Sequence, residues 1–211
     1  MSAQELERGL WHWQARHPQW ISDDWWPQLV SSYAVDDGAR LLLIDPLYPP
    51  AEIVARAPER ETLIVLTCPW HERSSRDLAE TLELQIWTPP ADPGSPDIAW
   101  LDDHPDGPGH AYTAERGILD GVSVLPGQRP NDVVLWIGSC NAVVFGDTLV
   151  DFGGGLELNE RWLPDGVGRE DVALPLRRML AEPPRHLLAT HGGPQTLAAF
   201  ERALGVPRSG A

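Results

Sequence analysis

Four short segments of this chain carry side chains able to hold a metal ion or move a proton, and each directly follows an apolar run. They are Thr67-Cys68-Pro69-Trp70-His71-Glu72-Arg73, Pro126-Gly127-Gln128-Arg129, Gly146-Asp147-Thr148-Leu149 and Thr190-His191-Gly192-Gly193. Imidazole, thiolate and carboxylate groups are the usual protein donors to zinc, and the same groups serve as general acids and bases. The ends of strands are where layered folds commonly place their sites. Taken singly, each segment has a plainer reading. A histidine after a strand is most often a hydrogen-bonded loop residue. Gly-Asp-Thr is a turn in which Asp accepts from following N–H groups. His-Gly-Gly suits any tight strand-to-helix link. Their order along one chain is what carries weight.

The elements that would position these groups alternate between strand and helix signals. Ser31 to Val35, the turn Asp36-Asp37-Gly38 and Arg40 to Ile44 read as a hairpin, because Asp-Gly between apolar runs favours a tight turn. Glu61 to Thr67 is a nearly continuous apolar run, as expected of a strand buried on both faces. A helix from Ser74 or Ser75 to Leu84 and a strand at Gln85-Ile86-Trp87 follow. Thr88 to Gly109 is a Pro, Asp and Gly-rich loop. Gly121–Leu125, Asp132–Ile137 and Asn141–Phe145 then form a meander. A helix over Glu170–Ala181, a strand over His186–Thr190 and a helix over Thr196–Leu204 close the chain. Two sheets with helices outside account for this order, giving an α+β, layered α/β architecture: an αββα sandwich in one domain, residues 1–211. Residues 1–30, with five of the ten tryptophans, are expected to pack on that domain.

Bulk composition narrows the partners. The chain has 211 residues with 31 acidic side chains against 16 Lys and Arg, a formal net charge of -15. So acidic a surface repels phosphate backbones and anionic lipid, which argues against nucleic-acid and membrane binding. No apolar run approaches the ~18 residues of a membrane span. Two cysteines, Cys68 and Cys140, are too few for a disulfide framework, and the polar start lacks a signal-peptide core. A cytoplasmic location is the expectation. A tryptophan-rich N terminus exposed on a monomer would be unusual, which leaves a homo-oligomer possible.

The order of the segments resembles the metallo-β-lactamase superfamily from about Ser31 to about Leu204. Ser31 to Asp45 looks like the family's first hairpin with its strand-ending Asp. Leu63 to Thr67 matches the strand before the T-H-x-H-x-D-H motif. Val143 to Leu149 is similar to the G-D-T-L segment, whose Asp bridges two metals, and Leu188 to Gly192 to the final strand ending in His-Gly. The resemblance implies a hydrolase with metal-activated water. The departures are as informative. Aligned from Thr67 without gaps, the first two family histidines fall on Cys68 and Trp70, the motif Asp on Glu72 and its last His on Arg73. The His expected after Pro-Gly is Gln128. Trp cannot ligate, Arg opposes a second cation, and Gln is a feeble ligand. A two-metal site is therefore not expected.

What the resemblance leaves is a single zinc or iron ion held by Cys68, His71, Asp147 and His191, with Glu72 as general base, or no metal at all. His71 could serve only if its loop is rearranged relative to the family pattern. One reading is a divergent hydrolase acting at one metal on an ester, thioester or similar small substrate. The other is a non-catalytic protein of the same fold that binds a small molecule or a protein partner. Surface roles are expected for His12, His17, His104 and His110. The sequence names no substrate.

Overall fold

Alternation of side chains along the strands decides the layering. In the computed structural model, which describes residues 2–22, 24–101, 109–113 and 119–206, the first sheet holds seven strands in sequential order. These are β1 (Gln4–Glu7), β2 (Leu10–Arg16), β3 (Leu29–Asp36), β4 (Arg40–Ile44), β5 (Glu61–Val65), β6 (Gln85–Thr88) and β7 (Gly109–Ala111). On β3 to β5, Tyr33, Val35, Leu42, Ile44, Leu63 and Val65 face one way, while Ala34, Leu41, Leu43 and Ile64 face the other. A period of two sends neighbours to opposite faces, so this sheet is buried on both.

The second sheet begins with the meander β8 (Val122–Arg129), β9 (Asp132–Ile137) and β10 (Ala142–Phe145). A small ribbon of β11 (Leu149–Val150) and β12 (Glu157–Leu158) follows, and then β13 (His186–Ala189) and β14 (Gly193–Gln195) complete the sheet in the order β14-β13-β10-β9-β8. Val133, Leu135, Ile137, Val144 and Leu188 meet the first sheet across the central core. Val134, Val143, Phe145, Leu187 and Ala189 point outward, against α3 (Arg169–Arg177) and α4 (Leu197–Ala203). The outer face of the first sheet is covered by Ile53 of α1 (Ala51–Val54) and Ala79 of α2 (Ser75–Leu82). Helices, two facing sheets and helices make the αββα sandwich.

Three local differences from the sequence reading matter. The tryptophan-rich N terminus is not an appendage, since β1 and β2 are strands of the first sheet. β2 pairs along its length with β3, from Leu10 opposite Val35 to Arg16 opposite Leu29. Trp11 and Trp13 of β2 sit in the outer core. The strand expected to end at Leu125 runs on to Arg129 through a register shift between Pro126 and Arg129. That bulge carries Gln128 under the site. The strand after Glu61 stops at Val65, which frees Thr67 to turn the chain. His104 lies outside the described residues, and no helix among them is long and apolar enough to cross a membrane.

Candidate metal centre

The site is assembled where β4, β5, β10 and β13 end together. After β4 the chain turns sharply at Asp45, whose φ of 44° is in the left-handed region. The Asp45 carboxylate is fully buried. Its Oδ1 accepts the Thr67 N–H at 2.8 Å, and its Oδ2 accepts from His71 Nδ1 at 2.9 Å. Thr67 also anchors the second sheet, since its carbonyl accepts the Val133 N–H at 3.0 Å. Pro69 then opens a single 3-10 turn, Pro69–His71, and Arg73 leaves it with φ 49°. This tight turn answers the misalignment of the motif. It brings His71 to the floor with Nδ1 committed to Asp45 and Nε2 facing inward, while Trp70 turns its indole N–H onto Asp147 Oδ2 at 2.7 Å. A carboxylate behind a histidine fixes ring orientation and tautomer, as it does behind metal-binding histidines.

Asp147 arrives from the end of β10 on a buried polar frame. Asp132 accepts the Asp147 N–H at 3.0 Å and the Thr148 hydroxyl at 2.7 Å. Gln128 donates from Nε2 to the Asp147 carbonyl at 3.1 Å. Gly146 is required here, because a Cβ would collide with Asp132 Oδ1. So held, Asp147 Oδ1 lies 3.3 Å from His71 Nε2 and 3.4 Å from His191 Nε2. His191 follows β13, its carbonyl fixed by the Asp151 N–H at 2.9 Å. Neither Asp132 nor the role of Gln128 was found from sequence. Their signal is a buried carboxylate opening a strand and an amide inside a bulge, and both are visible only once the strands are paired.

Cys68, His71 and Asp147 bring one donor atom each to within 4.8 Å of one another, and all three are buried. His191 joins through Asp147 and stands outside that group of three. The donor set fits a metal ion: thiolate, imidazole and carboxylate together suit a borderline cation such as zinc. Asp147 Oδ1 has no hydrogen-bond partner of normal geometry, so an acceptor buried between two imidazoles is available to a cation. A second cation nearby would meet the Arg73 guanidinium.

Charge is finely divided. Burial alone would push both carboxyls up, yet His71 and Arg73 hold Asp45, and His71 and His191 hold Asp147, below the ordinary carboxylate range. Burial disfavours the His71 cation, but the flanking Asp45 and Asp147 charges outweigh it and raise that imidazole to about 9. His191 goes the other way, lowered chiefly by burial against the pull of Asp147. Burial and the Asp147 and Asp45 charges raise the Cys68 thiol, so a cation that takes it must displace a proton. Burial, with the Asp147 charge, lifts Asp132 to about 7.

Above this floor is a cavity of about 180 Å³ walled by Trp26, Trp70, Trp162, Val30 and His17, with His71, Arg73, Asp147 and His191 below. Trp26 and Phe152 meet the His191 ring edge-on at 5.4 and 5.7 Å. The Glu72 assignment changes. Glu72 does not reach the cavity. The turn points it outward, where Oε2 accepts the Ile98 N–H at 3.3 Å. Arg73 pairs with neither Glu72 nor Asp147 but donates from Nη1 to the carbonyls of Ser31 at 2.7 Å and Asp45 at 2.8 Å. His110 stacks on Trp87 away from the site. His12 contacts Ser31 at 3.0 Å and is part-buried, not a surface group.

No family model and no curated protein matches the sequence. Solved structures do match the fold over nearly the whole chain. A metallo-β-lactamase from Erythrobacter litoralis is 16% identical with a TM-score of 0.63, the match covering 97% of this chain and 90% of that one. The DIM-1 metallo-β-lactamase is 12% identical with a TM-score of 0.63, covering 97% and 95%. This protein has the metallo-β-lactamase fold. Its Cys-His-Asp cluster is able to hold a metal ion in the place where that fold gathers its strand ends.

Proposed function

We propose that this chain is a single-metal hydrolase of small esters, thioesters or like substrates. Cys68, His71 and Asp147 hold the metal, which is zinc or iron. The convergence of those three buried donors within 4.8 Å carries the reading. When bound, such an ion would lower the pKa of a water molecule and polarise the substrate's reacting oxygen. The chain's own contributions are distinct. Asp45 holds His71 with Nε2 inward, and Trp70 and the Asp132 frame hold Asp147. His191, kept largely uncharged by burial, takes the proton-accepting role that the sequence reading gave to Glu72. The tryptophan walls exclude bulk water and so strengthen each polar interaction on the floor. The alternative, a ligand-binding protein without catalysis, draws support from Trp70 and Arg73, which already satisfy or oppose charge where further metal ligands would stand.

Elemental analysis of protein purified without chelator or affinity histidines tests this. About one zinc or iron per chain is expected, lost in Asp147→Asn and retained in His191→Gln, with esterase or thioesterase turnover abolished in both. No metal as purified, and none taken up on adding zinc or iron, would reject the hydrolase and leave the ligand-binding reading.

A further inference from the structure

The Arg73 guanidinium is half used. Its Nη1 is spent on the Ser31 and Asp45 carbonyls. Its Nε and Nη2 are buried and have no hydrogen-bond partner among the described residues. Nε–H and Nη2–H lie on one edge of the planar group, the fork that pairs with both oxygens of a carboxylate. A buried donor without a partner costs stability comparable to a lost hydrogen bond, and more when it is charged. Such a group persists at a site where a ligand satisfies it. Arg73 is also backbone-strained, with φ 49°, and strain of this kind collects at ligand clamps.

Size and wall chemistry define the rest of the ligand. A cavity of about 150 Å³ lined by apolar side chains holds one benzene molecule, and this one is about 180 Å³. Trp26, Trp70 and Trp162 supply flat apolar walls. On the floor, Asp147 Oδ2 accepts the Trp70 indole N–H, and the His71 cation, 3.3 Å from the unbonded Oδ1, offsets that carboxylate's charge toward an incoming anion. Arg73 is the cation there whose hydrogen bonds go to backbone carbonyls and not to a carboxylate oxygen.

We propose that this cavity binds a small carboxylate bearing a single flat apolar group, about the size of benzoate, with the carboxylate taken by the Nε/Nη2 edge of Arg73 and the ring lying among Trp26, Trp70 and Trp162. This names the substrate or product class of the hydrolase proposed above and rests on the same cavity, but not on the metal. For a hydrolase, such an acid is the acyl product of the ester or thioester. Water adds to the acyl carbon, one of its protons leaves with the alkoxide or thiolate, the other passes to His191 and on to solvent, and the carboxylate remains in the fork.

Three probes of similar size separate charge from shape: benzoate, benzyl alcohol and benzylammonium. Their binding is measured by calorimetry and by tryptophan fluorescence, on the protein as purified and again after chelation, so that ligation of a metal cannot produce the preference. In both states benzoate is expected to bind about tenfold tighter than benzyl alcohol, with benzylammonium weakest. Arg73→Gln is expected to remove the preference while leaving benzyl alcohol binding within about twofold. If that variant does not fold, the wild-type series decides alone. Equal affinity for the three probes, or tighter benzylammonium, overturns the inference. A benzoate preference in protein that takes up no metal would sustain the subsite and reject the hydrolase. Metal uptake without the preference would do the reverse.

Discussion

His71 is the residue on which the site turns. It stands one position beyond the family's second histidine, and it reaches the floor because Asp45 grips its Nδ1 at 2.9 Å. A carboxylate in that place fixes the ring and raises its basicity, and removing such an outer partner commonly costs about 10–100-fold in metal affinity. Asp45→Asn, nearly isosteric, should therefore weaken zinc binding by about that factor, measured by competition with a chromophoric chelator. Unchanged affinity in a folded variant would mean that His71 is not a ligand. A second consequence concerns protons. His71, raised to about 9, and the Cys68 thiol, raised by burial, both carry protons at neutral pH in the metal-free protein. Zinc binding should release protons and tighten from pH 6 to pH 8. Calorimetry in buffers of different ionisation enthalpy reads the release directly.

At the scale of elements, the support under Asp147 is a packing problem as much as a polar one. Gly146 sits against the Asp132 carboxylate and the Thr67 side chain, with no room for a Cβ. Gly154, by contrast, has nothing within 4 Å of an added Cβ and no positive φ. Gly146→Ala should destabilise by about 1–3 kcal/mol through overpacking, read by urea unfolding, and should lower metal stoichiometry. Gly154→Ala should stay within about 0.5 kcal/mol. Equal effects would mean that the polar frame yields freely. The same contrast shows what the sequence could tell. The Asp37-Gly38 hairpin, Gly146-Asp147-Thr148 and Thr190-His191-Gly192 were legible because turn chemistry and strand ends are local. The strand β2 was partly legible, since Trp11, Trp13 and Ala15 alternate, but a cluster of indoles concealed the period of two. His71 was legible as a donor only on condition of a rearranged loop, and the directions of His71, Arg73 and Glu72 were not legible. Their directions follow from one 3-10 turn and a left-handed residue, which move a side chain by a full position while leaving the residue string unchanged. Asp132 and Gln128 act through pairings that only the folded sheet creates.

For the whole molecule, pH is the simplest global probe, and two histidines outside the donor cluster govern its acid side. Burial lowers His12 to about 4, and burial with the nearby Arg73, His71 and His191 charges lowers His17 to about 4. Both start from an ordinary value near 6.5. Between these values the unfolded chain binds protons that the folded chain refuses, so stability rises with pH from about 4 to about 6.5 and is lost on acidification across that window. Asp132 opposes this. Its carboxyl, raised to about 7, keeps a proton that the unfolded chain gives up near 4, which favours the folded state on the acid side of the same window. Two histidines outweigh one carboxyl, and the net acid limb should fall. The double variant His12→Gln, His17→Gln isolates their share: its melting temperature should drop less than that of the parent between pH 6.5 and pH 4.5, with Asp132 common to both. Far-UV circular dichroism at each pH, with chelator present, makes the comparison. Parallel curves would show that both imidazoles charge freely in the folded protein, and that the aromatic cover over this face of the sandwich, with His17 against Trp26 and His12 against Tyr33, admits water.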